Sequence, residues 1–134
     1  MERQKKIIDA NIAIKWFSEE KNTEAATAIL NQHNKEEINI IVPELFFYEV
    51  MNVLRFKNLE EQELNIAASE LFNLQLETIP ISLMIMNEAI KFSSKYNLTV
   101  YDAVYLALAE IFNAKLITED QEIINSKHPL VERL

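Results

Sequence analysis

Glycine and cysteine are both absent from this 134-residue chain, and proline and tryptophan are scarce, with three and one respectively. Without glycine there is no loop that lets a backbone close on a phosphate, so nucleotide sites of the GxGxxG and P-loop kinds are excluded. Without cysteine there is no disulfide framework, no thiol nucleophile and no sulfur-ligated zinc. The two histidines, His33 and His128, lack any neighbouring ligand spacing and are expected at the surface. No apolar run approaches the roughly 20 residues of a membrane span. The opening MERQKKIIDA also lacks the long apolar centre of a signal peptide. The expectation is a soluble, cytoplasmic protein with no membrane contact. Positive charge is in short supply too: 13 Lys and Arg face 21 Asp and Glu, a net charge of -8. Indiscriminate binding to nucleic acid depends on clustered basic residues, so any contact with RNA or DNA must be local. The acidic balance also suits a basic partner or a bound divalent cation, and a solvated surface explains it equally.

What is present is a core. A chain of this length that is 49% hydrophobic suits one domain over residues 1–134. Short β-branched runs alternate with longer helical patterns, the mark of an α/β domain with a mainly parallel central sheet of about five strands flanked by helices. Strands are expected near Lys6 to Asp9, Ile38 to Val42, Glu77 to Pro80, Lys115 to Thr118 and Leu130 to Arg133. Helices are expected over Asn11 to Ser18, Thr23 to Gln32, Glu44 to Lys57, Glu60 to Leu74, Leu83 to Tyr96, Tyr101 to Asn113 and Gln121 to Asn125. Asparagine is the next residue after glycine for left-handed backbone, and Asn34, Asn97 and Asn113 stand where helices should close.

Four acids fit this framework less easily. Asp102 lies near the start of TVYDAVYLALAE, where Thr99 and Asp102 match a capping box. At 100° per residue, however, it shares a direction with Leu106 and Ala109, along an apolar stripe. Asp9 ends the first strand in KKIIDAN and Asp120 follows the fourth in KLITED. Each can be the N-cap of the helix that follows. Ligands in open α/β sheets also collect outside the carboxyl ends of strands, which would turn both acids to one crevice. Glu49 sits mid-helix in PELFFYEVMNVLRF between the directions of Leu45, Val53 and Phe56, and no cap explains it. Its other readings are a surface position or a buried pair with Arg55 or a lysine. Four converging carboxylates are untenable without cations to share them. Oxygen ligands with no histidine or cysteine nearby favour Mg²⁺ or Mn²⁺. Ions held in this way promote phosphodiester hydrolysis, so the reaction class is that of a nuclease.

The segments IIDANIAIKWF, PELFFYEVMNVL, LTVYDAVYLALAE and LITED, in this order and at this spacing, resemble the four signature segments of PIN-domain ribonucleases, particularly the VapC-type toxins of toxin–antitoxin pairs. The resemblance spans nearly the whole chain. It implies that Asp9, Glu49, Asp102 and Asp120 are metal-binding and catalytic, with Asn11 and Thr118 as polar support. It further implies a parallel sheet flanked by helices, Mg²⁺- or Mn²⁺-dependent cleavage of RNA, and a homodimer neutralised by a small antitoxin protein. One departure is Asn11, where the family often places serine or threonine.

Other classes stay open on the residues alone. A phospho-acceptor receiver domain wants an acidic pair after its first strand, where IIDAN offers one acid, and a dehalogenase-type phosphatase wants a second acid where Asn11 stands. A non-enzymatic interaction module fits if the acids are caps and paired charges. Lys15, Trp16 and Phe17 suit base stacking and phosphate contact, or a partly packed aromatic pair beside a solvated lysine. Arg55 and Lys57 could meet substrate phosphates near Glu49, but their directions on the helix differ, and they are left outside the site. The apolar stretches Leu45 to Phe56 and Ala103 to Phe112 predict surface covered by a second subunit or a partner.

Overall fold

The stretches Ile40 to Pro43, Leu116 to Thr118 and the pair Ile7 and Ile8 are buried on both faces, which the middle of a parallel sheet between helix layers requires. The computed structural model describes residues 2–134. Its elements are β1 (Gln4–Ile8), α1 (Ala10–Ile14), α2 (Thr23–Asn34), β2 (Ile38–Pro43), α3 (Leu45–Arg55), α4 (Glu61–Asn73), β3 (Glu77–Ile79), α5 (Leu83–Tyr96), α6 (Val100–Phe112), β4 (Lys115–Thr118), α7 (Gln121–Asn125) and β5 (Val131–Arg133). Every expected strand and helix is found, with shifted ends.

The five strands pair in parallel in the order β3-β2-β1-β4-β5. That order differs from the 2-1-3-4-5 order of receiver and flavodoxin-like sheets. The chain steps from β1 through β2 to β3 in one direction and returns to β4 and β5 on the other side. Right-handed crossovers then put α1 to α4 on one face and α5 to α7 on the opposite one. The reversal lies between β1 and β4, where Ile7 pairs with Leu116 and Ile8 with Ile117. Beyond the carboxyl ends of those two strands a crevice opens, and Asp9 and Asp120 lie beside it.

Ile7, Ile8, Ile40, Ile41 and Leu116 form the middle of the core, with Phe46, Val50 and Leu54 of α3 packed against it. In α6 every residue from Ala103 to Ala109 is buried, because the helix lies between α5 and the strands β1, β2 and β4. The apolar run Ala103 to Phe112 is therefore largely internal packing and not the subunit surface expected of it. On α3, by contrast, Tyr48, Val53 and Phe56 are exposed. The arc that flanks Glu49 is thus not the core-facing one.

Without glycine, left-handed backbone falls to other residues. Asn97 and Asn113 close α5 and α6 with positive φ as expected, and Asn22 and Asn58 take similar conformations. Asn34 does not: it is the last residue of α2, and the left-handed position is Glu36, with φ 61°. Both histidines are buried, against the surface expectation. His33 Nδ1 accepts from the Ile40 N–H, so its Nε2 carries the proton and donates to the Leu74 carbonyl at 3.0 Å. His128 Nδ1 accepts from Leu130 N–H, and its Nε2 faces Glu110 at 3.1 Å. Each ring ties together backbone or side-chain groups from separate elements.

Candidate active site

A carboxylate can leave water only if donors or cations replace the lost hydration. Asp9, at the end of β1, is only 6% exposed. Its Oδ2 accepts from Thr118 Oγ1 at 2.7 Å and from Asn11 Nδ2 at 3.4 Å. Thr118 is fully buried at the end of β4, and its hydroxyl oxygen also accepts from the Asp120 N–H at 2.9 Å. Asn11 Oδ1 accepts from Glu119 N–H at 3.4 Å, so Asn11 and Thr118 join the ends of β1 and β4. The Asp9 side chain does not cap α1.

Glu49 comes to the same cleft from α3. Its Oε1 accepts from the Tyr105 hydroxyl at 2.6 Å, a bond that reaches from the buried face of α6. Neither Arg55 nor a lysine pairs with Glu49 among the described residues. Asp102 lies in the first turn of α6, where Thr99 Oγ1 accepts from its N–H at 3.1 Å. Among the described residues there is no reciprocal carboxylate bond to complete the capping box, so the Asp102 side chain is available to the cleft. Asp120 is a cap in part: its Oδ1 accepts from Ile123 N–H at 3.1 Å at the start of α7.

Asp9, Glu49, Asp102 and Asp120 thus line one open cleft together with Asn11 and Ile14. The closest carboxylate grouping includes an acid absent from the sequence reading. Oxygens of Asp102, Asp120 and Glu122 all lie within 4.8 Å of one another. Glu122 is exposed in the first turn of α7, two residues after Asp120, where an acid also looks like ordinary helix-start charge. The turn of the chain at Asp120 brings a Glu122 oxygen to the carboxylates of Asp102 and Asp120.

The protonation of these groups records the crowding. Burial, assisted by Glu49, Asp102 and Asp120 and opposed by the Thr118 hydrogen bond, pushes Asp9 from 3.8 up to about 7. Burial raises Glu49 as well, with Asp102 and Asp120 adding to it against the Tyr105 bond. Asp102 is raised by burial and then by Asp120. The Tyr105 hydroxyl is pushed well above the ordinary phenol range by burial and by Glu49, so it stays a donor.

Two lysines stand beside the acids. Lys15 is buried, not solvated: its Nζ donates to the Lys21 carbonyl at 2.7 Å and pairs with Glu20 at 3.5 Å and Glu119 at 3.4 Å. Trp16 and Phe17 pack partly against the core, and the Trp16 indole donates to the Ala26 carbonyl at 3.0 Å. Lys57 lines the cleft and donates to Glu20, whereas Arg55 turns to a separate groove between α3 and α4. No salt bridge involves Asp9, Glu49, Asp102, Asp120 or Glu122 among the described residues. The donor set is all oxygen, the carboxyls of Asp9, Glu49 and Asp102 are raised, and among the described residues none of the five acids has a bound counter-charge. This set fits a hard divalent cation.

Residues 6–127 match the family model described as PIN domain. Ribonuclease VapC3 of Pyrobaculum aerophilum is 30% identical over 133 residues, spanning 95% of this chain and 98% of its own. A toxin–antitoxin complex from Klebsiella pneumoniae contains a chain that superposes with TM-score 0.67 at 24% identity, over 94% of both chains. VapBC2 from Rickettsia felis, solved bound to a DNA fragment from its promoter, gives TM-score 0.70 at 15% identity over 98% of this chain and 99% of the other. At those identities the solved structures speak for the fold.

Proposed function

The chain belongs to the PIN domain family, and from that premise we propose that it is a divalent-metal-dependent endoribonuclease, the toxin of a toxin–antitoxin pair. The observation that carries the reading is the cleft. Carboxylates from β1, α3, α6 and the β4–α7 junction meet at the sheet's reversal point, those of Asp9, Glu49 and Asp102 with raised pKa values, and among the described residues no lysine or arginine is bound to them. The relative named as a ribonuclease matches over nearly its whole length, which supports RNA as the substrate.

Asp102, Asp120 and Glu122 would hold Mg²⁺ or Mn²⁺, with Asp9 and Glu49 across the cleft. Held there, an ion would supply Lewis-acid activation of water and charge compensation at the phosphoryl oxygens. The chain's own part is to place the ligands. Thr118 and Asn11 fix the Asp9 carboxylate, and Tyr105 holds one oxygen of Glu49. Thr99 meets the Asp102 backbone and leaves that side chain free, while Asp120 spends one oxygen on its helix and keeps the other.

The chain acts in the cytoplasm, where RNA is, and no helix among the described residues is long and apolar enough to cross a membrane. A small antitoxin is its proposed partner, in keeping with the toxin–antitoxin assemblies among its structural neighbours. An apolar antitoxin segment would fit the groove lined by Phe47, Tyr48, Met51, Leu64 and Phe72. A basic antitoxin side chain would suit the acidic cleft. The chain is further proposed to form a homodimer. Incubation of purified protein with structured RNAs should give cleavage with Mg²⁺ or Mn²⁺, none with EDTA, and none from Asp102→Asn. Cleavage undiminished in that variant, or in EDTA, would reject the reading.

A further inference from the structure

We propose that Lys57 is the phosphate-holding residue of this cleft, parked on Glu20 in the free protein and turning to an RNA backbone phosphate beside the reacting one. The inference rests on the ribonuclease reading. Glu49, Val53 and Lys57 are spaced i, i+4, i+8, so they follow one stripe of α3 and its terminal turn, and all three line the cleft. At helical rise the eight-residue step through α3 and its terminal turn puts Lys57 about 12 Å along the axis from Glu49, which makes its phosphate a flanking one.

The surroundings separate Lys57 from the other cation nearby. Lys15 is only 7% exposed and held by two carboxylates and a carbonyl, so it is committed to the scaffold. Lys57 is 35% exposed and bound only to Glu20 among the described residues. Glu20 keeps Lys15 as a partner when Lys57 leaves, so the exchange strips no carboxylate bare. A half-exposed ion pair is weak, whereas an ammonium on a phosphate forms a charge-assisted bond in a place where every other charge in the wall is negative. Among the described residues Lys57 is the one cation that lines this cleft.

The test uses full-length protein with Mn²⁺ and a fluorescent single-stranded RNA, and compares wild type with Lys57→Gln, Lys57→Arg and Glu20→Gln. Lys57→Gln should raise KM about five- to tenfold with kcat within roughly twofold, as expected for one lost charged contact. The dependence of log(kcat/KM) on log salt should change by about 0.7, the share of one phosphate on a single strand. Lys57→Arg should restore KM, and Glu20→Gln should lower it by freeing Lys57. Calorimetric Mn²⁺ affinity should be the same in all four proteins. Anisotropy of the same RNA on Asp102→Asn protein, with and without Lys57→Gln, judges Lys57 independently of cleavage. An inactive wild type would sink the ribonuclease reading while this arm still decides the contact. Equal RNA affinity with and without Lys57→Gln, an absence of RNA binding in either, or an unchanged KM would overturn the proposal.

Discussion

Asp9 shows how one residue reports on a whole cleft. Its carboxyl is raised to about 7 because burial takes it out of reach of bulk water, against the Thr118 hydrogen bond, and because Glu49, Asp102 and Asp120 add negative charge nearby. The unfolded chain ionises Asp9 near 4, so between about pH 4 and 7 the folded state binds the extra proton. Metal-free protein should therefore be most stable at the acid end of that window and lose stability as pH rises through 7, by up to ~1.4 kcal/mol per unit. Thermal unfolding in EDTA should show a higher Tm at pH 5.5 than at pH 8. Asp9→Asn should remove most of the difference and raise Tm at pH 8. A saturating divalent cation should reverse the order, because it binds the ionised site. A metal-free Tm that climbs steadily from pH 5.5 to 8 would refute this account of Asp9.

At the scale of elements, the consequence of having no glycine is stored in helix ends. Gln75 follows α4 with φ 57°, is exposed, and carries a side chain that makes no hydrogen bond among the described residues. A side chain with a Cβ in this conformation costs ~1 kcal/mol relative to glycine. Gln75→Gly should stabilise the protein by about 0.5 kcal/mol after the entropy glycine adds to the unfolded chain. Urea unfolding would check it, and a lower midpoint at unchanged slope would count against the strain.

Periodicity was enough to locate these elements, because apolar spacing of 2 and 3.6 follows from which faces are buried. It also brought Asp9 and Asp120 to one crevice through the strand-end rule. Periodicity does not carry the fine winding. The helix expected from Asn11 to Ser18 ends as α1 at Ile14, and Lys15, Trp16 and Phe17 continue in tighter turns, each N–H bonded to the carbonyl three residues back. That winding accompanies the inward course of Lys15 to Glu20 and Glu119, which no local pattern contains. Glu122 is missed for the same reason, since it reads locally as solvated charge, whereas Lys57 is set aside with Arg55 on helix direction, and only the folded cleft, which Lys57 lines and Arg55 does not, separates the two.

At the scale of the whole molecule, the described residues leave another apolar area without cover besides the groove between α3 and α4. Ile81, Leu83, Met84 and Tyr101 are each more than 60% exposed, around a cavity of about 190 Å³ that Pro80, Ile85 and Val104 help to line. They belong to the turn before α5 and to the starts of α5 and α6, two helices packed on each other. Exposed apolar surface of this kind marks association sites, and a self-complementary patch closes after two copies. Tyr101 is the natural anchor, since it is aromatic and stands beside a cavity that a copy's side chain can enter. Light scattering should find a dimer at micromolar concentration. Tyr101→Glu should weaken it by roughly thirtyfold, the equivalent of ~2 kcal/mol for one central contact. Because Tyr101 is exposed in the protomer, the variant should retain its helical circular dichroism. A wild type that is monomeric throughout, or a Tyr101→Glu variant that dimerises equally well, would place the covering partner elsewhere. Tyr101 also immediately precedes Asp102, so dimerisation would steady the first turn of α6 and the carboxylate it carries. The dissociated variant should then bind Mn²⁺ more weakly than the dimer, although Tyr101→Glu adds a carboxylate beside Asp102 that by charge alone would strengthen cation binding.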